Sequence, residues 1–412
     1  MFNNIHDAIH WIQTQVKFKP KTDLKRMSSA LDALDISFDG VKLIHVAGTN
    51  GKGSVCAYLT HMFLEMGLSV GTYTSPYLIV FNERVRLNDQ NISDEDLLEE
   101  INYIYDFNQE FTKSFGENLA FFELITLIAL NYYKKQKVDV IIMEVGLGGL
   151  LDATNVLNYD LSLITNIGFD HMKQLGNTLE SIASNKLGIL KPGNHLITTV
   201  DEKLHPYFKT YIKDLNVTSK FITSDDYKLI SLRPLRFIYQ DLDIELSLLG
   251  KHQVLNAILA LEGLLYLYPD TDKKILRKAL KRAIWAGRLE KLEEQVYIDG
   301  AHNEHALVAL KDTLKETFKD YKIHVLFSAL GDKDIKKMLE VIGEFADSIT
   351  LTSFDDFRFV DLDEYQTKDI PYIKGFDQAY KLLKSELKTN EIMMITGSLH
   401  FVGYVKSRFS NK

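Results

Sequence analysis

The sequence predicts an α/β protein of two domains, in which parallel sheets are covered by helices on both faces. Three observations carry this prediction. Apolar segments such as residues 138–146 (VDVIIMEVG) and 160–168 (DLSLITNIG) recur, helical segments separate them, and glycine-rich turns follow several of them. Strands that are apolar on both faces are typical of parallel sheets buried between helices. A chain of 412 residues is also too long for one ordinary core.

The first domain is predicted to begin with a strand over residues 41–47 (VKLIHVA), which are apolar and rich in strand-forming residues. Helical spacing over residues 55–66 and Gly67 after them predict the helix that follows this strand. Acidic residues at 94–96, after a cap at Ser93, predict the start of the next helix. The predicted strands are 41–47, 69–75, 138–146 and 160–168, and the predicted helices are 55–66, one that begins near 91–93, and 120–136.

The second half of the chain changes character before the alternation restarts. Residues 217–250 predict short strands and turns, and residues 251–286 predict helix. After a junction near residues 285–288 the order of strand and helix resumes, as in a smaller Rossmann-like α/β domain. We therefore place the domain boundary between residues 286 and 287, with a first domain of 1–286 and a second of 287–412.

Composition excludes several classes of function. The formal net charge is −8, the opposite of what a general nucleic-acid-binding surface shows. Cys56 is the one cysteine, so no disulfide can form within the chain, which favours a reducing compartment. Neither a signal peptide nor an apolar run of about 20 residues is present. We expect a cytoplasmic protein, a monomer with no nucleic-acid or membrane partner.

Residues 48–54 (GTNGKGS) lie between a predicted strand and a predicted helix, as a phosphate-binding loop does. Backbone N–H groups freed by the glycines and the helix N-terminus both favour phosphate, with Lys52 on the outer phosphates and Ser54 on Mg²⁺. Gly53 is an extra residue between these two, which argues against an ordinary kinase or GTPase. The predicted ATP-binding residues here are Gly48, Thr49, Asn50, Gly51, Lys52, Gly53 and Ser54.

Polar residues follow the other predicted strands of the first domain. Glu144 ends an apolar strand and precedes a run of glycines, which favours a Mg²⁺ ligand over a solvated acid. Asp170 and His171 follow the next strand, and on the residues alone His171 is as consistent with a structural role as with metal binding. Lys186, on its spacing alone, is a solvated helix lysine.

The second domain has two similar strand-end loops. Residues 299–303 (DGAHN) follow a strand and open a helix, and residues 396–398 (TGS) follow the strand IMMI. Either loop could bind ribose or a substrate carboxylate. On these residues alone, a capped helix start is the simpler interpretation.

Taken together, the motifs resemble the folylpolyglutamate synthase and dihydrofolate synthase family within the Mur-ligase superfamily. The resemblance covers nearly the whole chain, and ten motifs in the same order make it specific. The motifs are HVAGTNGKGSV (45–55), TSPYLIVFNERV (74–85), FFELIT (121–126), EVGLGGLLDATN (144–155), TNIGFDHMKQLG (165–176), GKHQVLNA (250–257), GRLE (287–290), DGAHNEHAL (299–307), LGDKD (330–334) and TGSLHFVG (396–403).

The resemblance implies an ATP-dependent ligase that adds L-glutamate to a reduced folate, and to dihydropteroate if it is also a dihydrofolate synthase. Its first domain would be the Mur-type ATP-binding domain and its second the glutamate-ligase domain. Two Mg²⁺ ions would be surrounded by Ser54, Ser75, Glu144 and His171, and Lys186 would be carbamylated by CO₂ and reach the second ion. The residues implied as catalytic are Lys52, His171 and Lys186.

The same resemblance implies the substrate contacts. ATP would be held across the domain interface by Asn256, Arg288 and Asp299, and the incoming glutamate would be received by His302 and Ser398. The pterin side would be formed by the 21–26 segment and by residues 121–123 and 151–153, from which we select Phe122, Glu123, Leu151, Asp152 and Ala153.

Four residues differ from the family pattern, and two alternative functions remain open. Leu150 stands where many members have Arg, and Asn185, Leu187 and Tyr77 also depart, which affects the pterin side and the neighbourhood of the carbamate. A Mur-type ligase for cell-wall precursors is disfavoured by the short stretch before the phosphate loop. A catalytically degenerate ATP-binding paralogue is disfavoured because the lysine, serine, glutamate and histidine set is intact.

Overall fold

The structure is a computed structural model that describes residues 1–17, 19, 22–331, 333–356 and 359–410. The chain forms two compact units. The first comprises residues 1–226 and 255–280, and the second comprises 227–254 and the chain from 281 onward. The α/β fold class predicted from the sequence is confirmed. The predicted boundary at residue 286 lies near the start of the second unit's main stretch, but the prediction did not assign 227–254 to that unit.

An eight-stranded sheet forms the centre of the first unit, in the order β4-β3-β2-β5-β1-β6-β7-β8. Strands β2, β5, β1, β6, β7 and β8 run parallel to one another, while β3 and β4 form an antiparallel edge next to β2. The strands are β1 (Lys42–Ala47), β2 (Val70–Tyr73), β3 (Val85–Leu87), β4 (Gln90–Asn91), β5 (Val140–Glu144), β6 (Leu161–Ile164), β7 (His195–Thr198) and β8 (Thr218–Phe221).

Helices cover this sheet, and the most buried of them carry site residues at their N-termini. α5 is buried along most of its length because its residues are apolar on nearly every face. The helices of this part of the chain are α1 (Ile5–Thr14), α2 (Lys25–Ala33), α3 (Lys52–Glu65), α4 (Asp94–Phe115), α5 (Phe121–Gln136), α6 (Met172–Leu175), α7 (Leu179–Leu187), α8 (His205–Asp214), α9 (His252–Leu267) and α10 (Lys273–Arg282).

The second unit has a small antiparallel sheet and a six-stranded sheet. Their orders are β11-β10-β9 and β12-β13-β17-β14-β15-β16, and only β12 is antiparallel in the larger one. The strands are β9 (Tyr227–Leu232), β10 (Leu235–Tyr239), β11 (Leu242–Leu246), β12 (Glu290–Glu293), β13 (Val296–Ile298), β14 (Lys322–Phe327), β15 (Ser348–Thr352), β16 (Tyr372–Ile373) and β17 (Glu391–Thr396). The helices are α11 (Glu304–Thr317), α12 (Ile335–Gly343), α13 (Phe376–Glu386) and α14 (Leu399–Ser410).

Most predicted elements are present, and the differences have local causes. α3 begins at Lys52 rather than at residue 55, so Lys52 and Ser54 lie in the first helical turn. The helix predicted over 251–286 is two helices, since Pro269 lies in the break between α9 and α10 and cannot continue a helix. No helix among the described residues is long and apolar enough to cross a membrane.

Candidate active site

Two glycines with positive φ shape the loop between β1 and α3. Gly48 has φ 145° and Gly51 has φ 86°, a region that other residues rarely adopt. A Cβ atom on Gly48 would lie 1.8 Å from Thr165 Oγ1, and one on Gly51 would lie 2.5 Å from Asn256 Oδ1. Both positions therefore require glycine, and Asn256, a predicted nucleotide contact, lies directly beside the loop.

Hydrogen bonds tie this loop to the segment that follows β6. Thr49 N donates to Asn166 O at 2.9 Å and Asn50 N donates to Asn166 Oδ1 at 3.0 Å. Thr165 Oγ1 donates to Asn50 O at 2.6 Å, and Gly168 N donates to Thr49 Oγ1 at 3.0 Å. The loop is thus held in place by its own chain, as a preorganised anion site should be.

Lys52 closes over the loop from the first turn of α3. Its Nζ donates to Gly48 O at 3.1 Å and to Thr49 O at 3.3 Å, and it lies 3.9 Å from Glu144 Oε1. Ser54, in the same turn, is buried. The ammonium group therefore lies at carbonyl oxygens of the loop, close to the carboxylate predicted to hold a metal.

Glu144 and Ser75 come together from neighbouring strands. Glu144 is the last residue of β5 and pairs in register with Val46 of β1. Its side chain is buried, and its Oε2 accepts a hydrogen bond from Ser75 N at 3.1 Å, just after β2 ends. Parallel strands thus bring two of the predicted metal ligands to the same sheet edge.

Lys186 is a buried lysine rather than the solvated one that its spacing alone indicated, so that interpretation is wrong. It is 4% exposed, and its Nζ donates to Gly48 O at 2.9 Å. Burial and the positive charge of Lys52 lower the pKa of Lys186 to about 7, while Asp170 acts in the opposite direction. A substantial fraction of this amine is therefore neutral and nucleophilic near neutral pH.

His171 stands at the start of the four-residue helix α6 with a left-handed backbone, φ 50°. Its side chain is 44% exposed, and its Nε2 lies 3.9 Å from Asp170 Oδ1. The Asp170 carboxylate also accepts a hydrogen bond from His171 N at 2.9 Å. The imidazole is thus held next to a carboxylate at the surface, and it lines the same cavity as Ser75.

The predicted metal ligands form a sparse set that includes oxygen donors of the kind Mg²⁺ binds. In the part of the chain that the structure describes, no group of three His, Cys, Asp or Glu residues is arranged to hold a metal. Only Glu144 and His171 of the predicted set belong to these types. Mg²⁺ is commonly bound by one or two carboxylates with substrate phosphates and water completing its shell, so a sparse protein set suits it.

A cavity of about 570 Å³ opens beside these residues. That volume is within the range of small-molecule sites. It brings together predicted metal and pterin-side residues that are far apart in sequence, namely Ser75, Phe122, Glu123, Leu151, Asp152, Ala153 and His171.

Glu123 is held by an ion pair at the wall of the cavity. Its carboxylate accepts hydrogen bonds from Arg26 Nε at 2.9 Å, from Arg26 Nη2 at 3.0 Å and from Ala120 N at 2.8 Å. Arg26 belongs to the 21–26 segment predicted on the pterin side and also lines the cavity. Residue 21 lies outside the described residues, as does residue 332 of the 330–334 motif.

Asp152 is fixed through both carboxylate oxygens. Oδ1 accepts from Thr154 N at 3.0 Å and from Thr154 Oγ1 at 2.6 Å, and Oδ2 accepts from Leu147 N at 2.9 Å. The residue is 6% exposed and lines the cavity. Its carboxylate is therefore oriented by the loop on either side of it.

The two departures closest to the site lie next to each other. Leu150 N donates to Asn185 O at 2.8 Å, and Asn185 lines the cavity while the Leu150 side chain is exposed. Phe122 packs on the same loop, because a Cβ on Gly146 would lie 2.2 Å from Phe122 Cζ. Aromatic packing on a bare glycine backbone shapes this end of the cavity.

Arg84 is a cavity residue that the sequence analysis did not select. It is 7% exposed, and its guanidinium lies 5.1 Å from the Tyr77 ring centre, 5.6 Å from that of Phe81 and 5.7 Å from that of Phe121. Its Nε and Nη1 have no hydrogen-bond partner among the described residues. Burial lowers the pKa of Arg84. A charged residue within the apolar motif TSPYLIVFNERV was the available signal.

After β13 of the second unit, the Asp299 side chain accepts hydrogen bonds from nearby backbone N–H groups. Asp299 Oδ2 accepts from Leu289 N and Oδ1 from Ala301 N, both at 2.8 Å. Burial raises the pKa of Asp299, and the charge of Arg288 opposes this. His302 Nδ1 is 2.8 Å from Gly300 O. Asn303 Oδ1 accepts from Ala306 N at 2.8 Å as the cap of α11, which confirms the capped helix start that the residues alone favoured.

Ser398, after β17, caps helix α14. Its Oγ accepts from His400 N at 3.2 Å at the start of α14, and the residue is 4% exposed. The structure thus places Asp299 and Ser398 after neighbouring strands β13 and β17.

Comparison with known proteins agrees with the sequence motifs. Residues 46–263 match the Mur ligase middle domain and residues 287–399 match the Mur ligase glutamate ligase domain. The chain is 36% identical to a dihydrofolate synthase/folylpolyglutamate synthase of Bacillus subtilis over 99% of this chain and 100% of that protein.

Solved structures give the same result. A folylpolyglutamate synthase of Thermotoga maritima is 29% identical with a TM-score of 0.85, covering 98% of this chain and 96% of that one. A bifunctional folylpolyglutamate synthase/dihydrofolate synthase with Mn, AMPPNP and L-glutamate bound is 26% identical with a TM-score of 0.85, covering 99% and 98%.

Proposed function

Since this chain belongs to the dihydrofolate synthase/folylpolyglutamate synthase family of Mur ligases, we propose that it is an ATP-dependent ligase that adds L-glutamate to reduced folates. The observation that carries this function is the meeting of a self-tethered phosphate loop, a buried acid and a buried lysine at one sheet edge, beside a cavity of about 570 Å³. A relative of the same fold has Mn, AMPPNP and L-glutamate bound.

The reaction needs two steps because a carboxylate is a poor acyl donor. An oxygen of the substrate carboxylate attacks the γ-phosphorus of ATP, ADP leaves, and an acyl phosphate forms. The α-amine of glutamate then attacks the acyl carbon, loses a proton, and inorganic phosphate leaves. Lys52 and the backbone N–H groups of residues 48–51 offset the repulsion between carboxylate and triphosphate and stabilise charge that moves toward ADP.

Two Mg²⁺ ions would be held by Ser54, Ser75, Glu144 and His171, of which Glu144 and Ser75 are already in contact. Mg²⁺ neutralises phosphate charge when bound. The role of the protein side chains is to fix the position of the ions relative to the phosphates. Glu144 Oε1 also lies 3.9 Å from Lys52 Nζ. The proposed metal ligand and the proposed phosphate-binding cation are therefore adjacent.

We assign Lys186 as a carbamylated lysine. Carbamylation joins the neutral amine nitrogen to the carbon of CO₂ and releases one proton, so the neutral amine becomes an anion. Counted from the ammonium form, two protons are released. A pKa lowered to about 7 supports this, because the amine must be neutral to react. Removing a buried positive charge beside Lys52 also relieves the repulsion that lowers this pKa.

The pterin side is assigned to Phe122, Glu123, Leu151, Asp152 and Ala153, all of which line the cavity. Arg84 joins them as the group that meets a substrate carboxylate. Its buried Nε and Nη1 have no hydrogen-bond partner among the described residues, so either can donate to a substrate carboxylate oxygen.

Asn256, Arg288 and Asp299 stay predicted nucleotide contacts, and His302 and Ser398 stay predicted glutamate contacts. We place the enzyme in the cytoplasm as a monomer. The buried state of its one cysteine is compatible with that compartment.

The test is an ADP-release assay that compares tetrahydrofolate with dihydropteroate, each with and without L-glutamate. Glutamate-dependent ADP release with tetrahydrofolate is expected. Release with dihydropteroate as well would add dihydrofolate synthase activity, which the name of the Bacillus subtilis relative includes. ATP binding without release on either acceptor would support a degenerate paralogue, and release only with UDP-linked precursors would support a cell-wall ligase.

A further inference from the structure

A buried histidine lies behind the cavity wall and has no part in the reaction described above. His45 is in the middle of β1 and is fully buried. Its Nε2 is 2.8 Å from Thr154 Oγ1, and Thr154 Oγ1 is 2.6 Å from Asp152 Oδ1. A continuous chain of polar atoms therefore runs from the strand that precedes the phosphate loop to a carboxylate at the cavity.

The direction of the hydrogen bonds in this chain follows from the number of protons. An ionised carboxylate can only accept, so the single hydroxyl proton of Thr154 is donated to Asp152. Thr154 Oγ1 must then accept from His45, which requires a proton on His45 Nε2. His45 Nδ1 has no partner among the described residues. As an unprotonated acceptor it is tolerated more easily than an orphaned N–H would be.

The imidazole is held so that it cannot turn away from Thr154. The ring of Tyr159 stacks on it with 4.1 Å between centres and 15° between planes. Tyr159 Oη donates to Thr154 O at 2.5 Å, so the stacking partner is itself anchored to the residue that His45 meets. Burial and the charge of Lys191 lower the pKa of His45 to about 3, which keeps the ring neutral at physiological pH.

We infer that His45 is a positioning residue, which through Thr154 holds the Asp152 carboxylate as a fixed hydrogen-bond acceptor for the N–H groups of the substrate's heterocycle. Without the donor at His45, the Thr154 hydroxyl can rotate toward other acceptors and Asp152 Oδ1 loses its short hydrogen bond. The effect should fall on binding of the folate and not on the phosphate loop. This inference rests on the proposed function, since it takes Asp152 to be on the pterin side.

The kinetic test uses His45→Leu, which removes the donor, and His45→Gln, whose amide can place a donor near the Nε2 position. His45→Leu is expected to raise the KM for tetrahydrofolate about tenfold, the effect of losing one hydrogen bond. The KM for ATP and kcat should stay within about twofold, and His45→Gln should recover most of the loss.

His195 provides a matched control. It also lies in a strand, stacks on a tyrosine (Tyr266, 3.9 Å) and has Nδ1 2.6 Å from a threonine hydroxyl, that of Thr218, but it lines no part of the cavity. His195→Leu should leave every kinetic constant unchanged. If His45→Leu does not fold, Thr154→Val and Thr154→Ser replace it, and only the valine variant should raise the folate KM.

A nitrogen-15 NMR measurement of the wild-type ring is independent of activity. The relay requires His45 Nε2 to be protonated, Nδ1 to be unprotonated, and neither to titrate between pH 5 and pH 8. A proton on Nδ1, an unchanged folate KM in His45→Leu, or an ATP KM that rises as much as the folate KM would each overturn the inference. Absence of turnover by the wild-type enzyme with any folate would instead remove the proposed function, while the NMR result would still decide the state of the relay.

Discussion

The two units hold their candidate site residues under different electrostatic conditions. In the first unit Lys186 and Arg84 are buried charges whose pKa values are lowered by that burial. In the second unit Asp299 and Ser398 accept hydrogen bonds from neighbouring backbone N–H groups. Lys186 and Arg84 are cations in costly environments. Ser398 caps a helix, and the buried Asp299 carboxylate, whose pKa is raised by burial, is compensated by its two backbone donors.

A buried charge and a helix cap are different kinds of evidence for a functional site. Burying a charge without full compensation costs free energy, so a fold that keeps such groups needs them for something else. A helix cap contributes to stability by itself and requires no ligand to explain it. Substitutions in the first unit should therefore affect activity far more than stability, and those in the second should affect both by small amounts.

The largest effect is expected from Lys52→Met. It removes the cation that we propose faces the outer phosphates and that lies 3.9 Å from Glu144, so kcat/KM should fall about a thousandfold. ADP release measures this. The control is Lys42→Met, a lysine at the start of β1, the strand before the loop, that lies 3.6 Å from Asp160. A loss of less than tenfold in Lys52→Met would show that the loop alone meets the triphosphate.

Lys186→Ala should lower kcat at least about a hundredfold, the scale of one lost charge-stabilising group, and a short added carboxylate such as propionate should restore part of the activity. Lys191→Ala is the matched control, because Lys191 is also partly buried and its pKa is also lowered by burial, yet its Nζ donates to Leu157 O, away from the phosphate loop. Full activity in Lys186→Ala would remove the carbamate and with it the strongest contrast between the units.

The pKa of Lys186 also gives this residue a pH dependence with a definite sign. Since its pKa is lowered to about 7, the neutral amine fraction rises as pH increases through 7. Activation of a CO₂-depleted enzyme by added bicarbonate should therefore be stronger at pH 8 than at pH 6. For stability, the unfolded chain holds a proton that the unmodified native state has lost between about pH 7 and 10.5, so the contribution of Lys186 to stability rises with pH there.

Arg84→Met should raise the KM for the folate about thirtyfold, from about 2 kcal/mol for a charge-assisted hydrogen bond. It should also raise Tm, because a desolvated charge is replaced by an apolar side chain of similar length. Arg86→Met serves as the control, since Arg86 pairs with Asp89 at 3.4 Å and does not line the cavity. A lowered Tm with an unchanged KM would make Arg84 a structural residue held by its three aromatic rings.

The contrast between the units also explains what the sequence could predict. Apolar strands and the GTNGKGS segment define the sheet and the loop, because local patterning decides both. The burial of Lys186 could not be read from SIASNKLGILKPG, since it depends on how α7 packs over Gly48, far away in sequence. The environment of the Arg84 guanidinium depends likewise on three aromatic rings, one of which, Phe121, is distant from Arg84 in sequence.

The smallest effect is expected in the second unit, from Ser398→Ala. If Ser398 contacts glutamate as predicted, the KM for glutamate should rise about fivefold with the folate KM unchanged, which corresponds to about 1 kcal/mol for one neutral hydrogen bond. Stability cannot decide this, because loss of a cap also costs about 1 kcal/mol. Asn303→Ala is therefore the control: Asn303 Oδ1 accepts from Ala306 N at 2.8 Å as the cap of α11, with no assigned substrate contact. If the two variants lose the same stability and neither changes the glutamate KM, Ser398 is a cap alone, and glutamate recognition must come from other side chains.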